Sequence, residues 1–222
     1  MTGTGDDTDD EDLPPGEDFH DEAQAAAWAD AAARKRPWRP SIFDRFVAAV
    51  AESSEAAPRI LELGSGPGFL AEHVLDRCPS VARYTLLDFA TPMLRQSRER
   101  LAGHVSRTVF VQADFKSDAW PGQVEGPFDF VFSLQAVHEL RHKRHAPRLY
   151  RQVRALLSPG AELVVCDHLP ESAPPHRQRH GKARSCSGRP LRPGDTPACQ
   201  PRARRAQTQG RWRAPPRVPS AA

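Results

Sequence analysis

Glu62-Leu63-Gly64-Ser65-Gly66-Pro67-Gly68 constrains this chain more than any other stretch. An apolar run, residues 60–63, leads into it, and an amphipathic segment with Phe69, Leu70, Val74 and Leu75 leads out. The order is strand, glycine turn, helix. Glycines at alternate positions let the backbone turn sharply and let a ligand approach where a Cβ would stand. A dinucleotide fingerprint requires G-x-G-x-x-G. Gly64 and Gly66 satisfy it, but Phe69 occupies its third glycine position. The pattern here is E-x-G-x-G-x-G, with an acid two places before the first glycine. Taken alone, such a turn can also be an idle bend.

Further strand-like runs follow in step with helical ones. Arg83–Asp88 reads as a second strand ending in a carboxylate, 20 residues after Gly68. An acid at that position can accept from both ribose hydroxyls or cap the next helix. Thr91-Pro92 is the better cap, which leaves Asp88 for a ligand. Third, fourth and fifth strands read at 108–114, 128–133 and 162–167, and Asp129 reads as structural. Between the last two, Leu149, Val153, Leu156 and Leu157 form a helical stripe that Leu157-Ser158-Pro159-Gly160 stops. Alternating strands and helices predict a doubly wound α/β domain with a mostly parallel sheet. Its ligand is expected at the strands' C-terminal ends.

Together these segments resemble the class I S-adenosylmethionine-dependent methyltransferases over residues 59–168. The turn resembles that family's first motif, which passes under the methionine part of the cofactor. The resemblance implies a Rossmann-like methyltransferase sheet, S-adenosyl-L-methionine as cofactor and a small-molecule methyl acceptor. Its cofactor would be held by Glu62, Gly64, Ser65, Gly66 and Gly68, by Asp88 and Phe89, by Asp114 and Phe115, and by Ser133 and Leu134. An acid beside the turn suits a ligand with an ammonium and a sulfonium, and would repel a pyrophosphate. Phe89 would cover the adenine or simply pack, and Asp114 would accept from its amino group or stay a solvated loop acid. His138 follows the fourth strand and is the expected base, with Glu139 the alternative and a structural loop histidine the plain one. Ser133-Leu134-Gln135-Ala136 is unlike the loop of base-amino methyltransferases. A nicotinamide oxidoreductase and a non-catalytic remnant are the competing readings.

The ends depart from this middle. Residues 1–22 hold ten acids and no Lys or Arg, whereas 173–222 hold twelve Lys or Arg and one acid. An acidic head, 1–20, is expected to be disordered. N-terminal helices follow over 21–57, the first capped by Asp21 and the second starting at Ser41. Trp28 and Trp38 would line a substrate pocket or pack the helices. The domain itself spans 58–170.

The tail, 171–222, carries nine Pro and eleven Arg among its last fifty residues, with no apolar run that could make a strand. It is expected to be disordered. Three readings of it stay open: an arginine-rich nucleic-acid arm, a contact with the acidic head, and out-of-frame translation of GC-rich DNA. Either way the sheet is expected to lack the last two strands of the family. That leaves residues 163–165 as an apolar edge prone to aggregation, with a melt below about 55 °C.

Four cysteines, Cys78, Cys166, Cys186 and Cys199, form no C-x-x-C pair. With His176 and His180 they lack finger spacing, so no metal is expected. No membrane span or leader is read, and unpaired thiols suit a reducing cytoplasm. The oligomeric state is not legible.

Overall fold

A computed structural model describes residues 17–167 and 184–185. Most of the acidic head and most of the basic tail, with His176, His180, Cys186 and Cys199, lie outside the described residues. Two helices come first, α1 (Glu22–Lys35) and α2 (Arg39–Glu52). Strands and helices then alternate: β1 (Arg59–Leu63), α3 (Phe69–Arg77), β2 (Arg83–Asp88), α4 (Thr91–Arg100), β3 (Thr108–Gln112), β4 (Phe128–Leu134), α5 (Ala146–Leu156) and β5 (Leu157–Cys166). The described strands form one parallel sheet in the order β3-β2-β1-β4-β5-β6, where β6 is Arg184–Ser185.

Side chains along the central strands alternate between two cores, as a pleated strand buried on both faces requires. Ile60, Phe130 and Phe132 pack with α2 and α3 through Phe46, Val50, Leu70 and Val74. Leu61, Leu63 and Val131 face the other way, onto Trp120, Leu149 and Val153. From β1 the chain winds outward to β2 and β3, then returns to β4 on the other side of β1. The strand order therefore reverses between β1 and β4, and a crevice opens at their C-terminal ends. Asp129 is structural, since its Oδ2 accepts the Arg59 N–H at 2.8 Å and ties β4 to the start of β1.

Several expected boundaries move. Asp21 does cap α1, its carboxylate accepting the Gln24 N–H. The second helix begins at Arg39 and not at Ser41, because Pro40 fits a first helical turn. Thr91 is the first residue of α4 rather than its cap, and Ala90 holds the cap position without a side-chain bond. α5 does stop before Leu157, but residues 157–161 are absorbed into β5 as an irregularity between its pairings at Phe128 and Phe130. Gly160, at φ +84°, supplies the left-handed residue there. The tail also contributes a strand, contrary to its composition. Arg184 and Ser185 pair with Val164 and Val165 of β5. Two backbone positions are enough to cover the middle of that edge, and they need no apolar run.

Candidate active site

The glycine turn joins β1 to α3 with Gly64, Gly66 and Gly68 all at positive φ, from +54° to +79°. Its amides are turned inward. Gly64 and Ser65 N–H both donate to Leu87 O, at 2.8 and 3.1 Å, and Gly68 N–H donates to Ser65 O at 3.2 Å. Gly66 N–H donates to Asp88 Oδ2 at 2.8 Å. Pro67 has no N–H. Every amide of this turn thus already has an acceptor within the protein. A phosphate-binding turn works the other way, by aiming such groups at the ligand.

The glycines differ in what surrounds them. A Cβ on Gly64 would sit 2.4 Å from Ala136 Cβ, and one on Gly68 2.8 Å from Ser97 Oγ. A Cβ on Gly66 would meet nothing within 4 Å. Gly64 and Gly68 therefore serve close packing, and Gly66 keeps a cradle open.

Two buried carboxyls face the crevice. Asp88 accepts from Gly66 N–H and, through Oδ1, from Ala90 N–H at 2.9 Å. It is not left wholly to a ligand; it braces the turn and the start of α4. Burial pushes its carboxyl up to about 6, against the opposing pull of those backbone donors. Glu62 is 2% exposed and accepts from the Tyr84 hydroxyl at 2.8 Å. Burial pushes Glu62 up to about 8, with the Tyr84 hydrogen bond and nearby Arg39 opposing.

A raised carboxyl holds its proton more tightly in the fold than in the unfolded chain. Its stabilising contribution is complete below the ordinary value of 4.5 and is lost as pH rises through about 8. The ligand-free protein should therefore lose resistance to urea between pH 5 and pH 9. Glu62→Gln should flatten that slope, as denaturation midpoints at pH 5, 7 and 9 would read.

A cavity of about 140 Å³ collects these groups. Glu62, Gly64, Ser65, Gly66, Asp88, Phe89, Phe115 and Leu134 line it, as do His138 and Glu139. Three expected cofactor residues do not. Gly68 faces α4, as its contact with Ser97 requires. Ser133 is buried with its hydroxyl donating to Leu63 O at 3.3 Å, which joins β4 to β1. Asp114 is exposed and accepts its own loop's Lys116 N–H at 2.8 Å. Of the two tryptophans, Trp28 lines the cavity, whereas Trp38 is 42% exposed and lies outside it.

Arg39 is the residue that sequence reasoning missed. It reads as one more cation in the run Arg34 to Arg39. The early start of α2 instead buries it to 8% exposure and brings it to the cavity wall. Its guanidinium lies 5.5 Å from the Trp28 ring centre and 5.6 Å from that of Phe69. Its Nε has no hydrogen-bond partner among the described residues, nor has the Ser65 hydroxyl. Burial, then neighbouring Arg36, pull the guanidinium down to about 10, while Glu62 pulls the other way.

The expected base is also rearranged. His138 Nδ1 lies 2.7 Å from Asp167 Oδ1, and Nε2 lies 3.1 Å from Glu139 Oε1. Hydrogen bonds to Asp167 and then Glu139 push His138 up to about 9. Glu139 also pairs with Arg141 and is held below the usual carboxylate range, first by His138. His138 is thus held between two carboxylates, and Glu139 between His138 and Arg141. Asp167, two elements away in sequence, carried no motif that could reveal it.

Fold and site together define a Rossmann-like domain with a ligand crevice at its topological switch point. Residues 60–160 match the family model described as a methyltransferase domain. Over that segment, a little under half of its length, the chain is similar to methyltransferase domains. It is similar to the trans-aconitate 2-methyltransferase of Methylobacterium nodulans, 38% identical over 125 residues that cover 55% of this chain and 43% of the relative. It is also similar to the malonyl-[acyl-carrier protein] O-methyltransferase of Magnetococcus marinus, 34% identical over 80 residues, 36% of this chain and 28% of the relative. This chain thus spans less than half the length of either relative. In fold it matches a protein of Methanococcus maripaludis described as an S-adenosyl-L-methionine-dependent methyltransferase, with TM-score 0.54 at 18% identity. That match covers 70% of this chain and 67% of the other.

The residues present fit S-adenosylmethionine. The turn offers no amide to a phosphate, an open Gly66 cradle to a bulky group, and an acid and a guanidinium, whose Nε has no hydrogen-bond partner among the described residues, to a zwitterion. A pyrophosphate would instead meet two buried carboxyls and occupied amides. The same features count against the nicotinamide reading.

Proposed function

We propose that this chain transfers a methyl group from S-adenosylmethionine to a small-molecule acceptor. The observation that carries this reading is Glu62 and Arg39 lining one cavity, within electrostatic reach of each other, beside a turn whose amides are all occupied. Glu62 accepts the ammonium of the cofactor's amino-acid end, which would draw its proton off. The Arg39 guanidinium donates to the carboxylate of the same end; its Nε has no hydrogen-bond partner among the described residues. Gly66 admits the backbone of the ligand. Asp88 keeps lone pairs on both oxygens for the ribose hydroxyls. Phe89, Phe115 and Leu134 form the apolar walls for the adenine. When bound, the cofactor supplies a methyl group activated by its positive sulfur. The protein's own task is to hold donor and acceptor in line and to exclude water.

Calorimetry with S-adenosylhomocysteine and with NAD tests this. S-adenosylhomocysteine should bind with micromolar affinity and NAD should give no heat above dilution. NAD binding equally well would sink the reading.

A further inference from the structure

A buried guanidinium is ordinarily oriented by acceptors, which also take up its donors. Arg39, the first residue of α2, is oriented by rings. Its guanidinium carbon lies 5.5 Å from the Trp28 ring centre on α1 and 5.6 Å from that of Phe69 on α3. Phe43, one turn further along α2, is at 5.8 Å. An aromatic ring attracts a cation through its π-system and accepts no conventional N–H bond in doing so. The fork of N–H groups can thus be held in place and still be open to a ligand. The orphaned Nε fits this description.

The rings are themselves fixed. Arg100 of α4 lies 4.0 Å from the Phe69 ring centre. Its Nε donates to Pro67 O at 2.8 Å and its Nη1 to Glu72 Oε2 at 3.2 Å, so Phe69 is tied to the glycine turn and to α4. Trp28 meets Phe19 edge-on at 5.7 Å and holds a second guanidinium, that of Arg36, at 5.2 Å. Both Trp28 and Phe69 line the cavity. Phe69 directly follows Gly68 and opens α3. A dinucleotide fingerprint needs glycine at that position for close packing of helix on strand. Here the position carries a ring, and a cation stands against it.

We propose that Trp28 and Phe69 are positioning residues for the cofactor: their rings hold the Arg39 guanidinium at the cavity with its donors open to the carboxylate of the cofactor's amino-acid end. This rests on the role given to Arg39 above. Trp28 thereby makes α1 part of the cofactor site. Phe69 gives the end of the glycine motif a task that glycine could not perform. Leucine at either position keeps an apolar wall but lacks the ring's negative face, so the guanidinium loses its direction.

Calorimetry on the full chain compares S-adenosylhomocysteine with its decarboxylated analogue, which keeps the ammonium and lacks only the carboxylate. Phe69→Leu and Trp28→Leu should each weaken S-adenosylhomocysteine about 10-fold, the size of one largely desolvated cation–π contact. Binding of the analogue should be unchanged, which also shows that each variant is folded. Phe69→Tyr and Trp28→Phe, which keep a ring, should bind S-adenosylhomocysteine as the parent does. In an Arg39→Met background, Phe69→Leu should cause no further loss, because residues that act through one group are not additive. The inference is overturned if the leucine variants weaken both ligands alike, if they weaken neither, or if the losses from Phe69→Leu and Arg39→Met simply add. Parent-like affinity in Arg39→Met would overturn the role of Arg39 itself. Failure of S-adenosylhomocysteine to bind the parent would instead overturn the proposed function.

Discussion

Gly64→Ala should cost this protein much of its stability, while Gly66→Ala should leave it folded and unable to bind its cofactor. Both glycines have positive φ, +65° and +54°, so each alanine carries a similar backbone strain of about 1–2 kcal/mol. Their surroundings separate them. At position 64 the new methyl would lie 2.4 Å from Ala136 Cβ, closer than two carbons can come, so β1 and the loop after β4 must part. Overpacking of that kind costs about 1–3 kcal/mol more. The total approaches the low end of a domain's whole stability, about 5 kcal/mol. At position 66 the methyl meets no atom within 4 Å and projects into the ligand's space. Urea denaturation and S-adenosylhomocysteine calorimetry on both variants read the contrast. Equal stability losses for the two would show that the Gly64–Ala136 approach is not tight.

Arg39→Met should weaken S-adenosylhomocysteine about 10- to 100-fold, the worth of a hydrogen bond between charged groups. It should leave 5′-methylthioadenosine, which lacks the amino-acid end, unaffected. Folding stability should stay within about 1 kcal/mol of the parent. Methionine keeps the apolar stem among Trp28, Phe43 and Phe69, and the change removes a buried Nε that has no partner among the described residues. An equal loss for both ligands would mean that Arg39 shapes the cavity rather than holding a carboxylate.

The sheet was legible because its signals are local. Strand β2 ends in Asp88 and β4 carries Phe128, Phe130 and Phe132, and neither needs a distant residue to be read. The glycine turn was legible for the same reason, since its φ values are demanded by residues next to it in sequence. Ser133 and Gly68 show the limit. Each stands in the motif as expected, yet each faces protein rather than cavity, because strand register and the packing of α4 set the direction. Strand β6 shows another limit, since its pairing uses backbone that composition does not report.

By itself the sequence determined the α/β order, the turn that rejects a phosphate-type spacing, and the acids at the strand ends. Those follow from sterics and hydrogen bonding within a few residues. Only the tertiary structure decided which groups are charged and which are engaged. It brought Arg39 from α2 to Glu62, and Asp167, just after β5, to His138, across gaps of 23 and 29 residues. Charge in a low-dielectric crevice depends on distance and burial, and neither is written in the order of the residues.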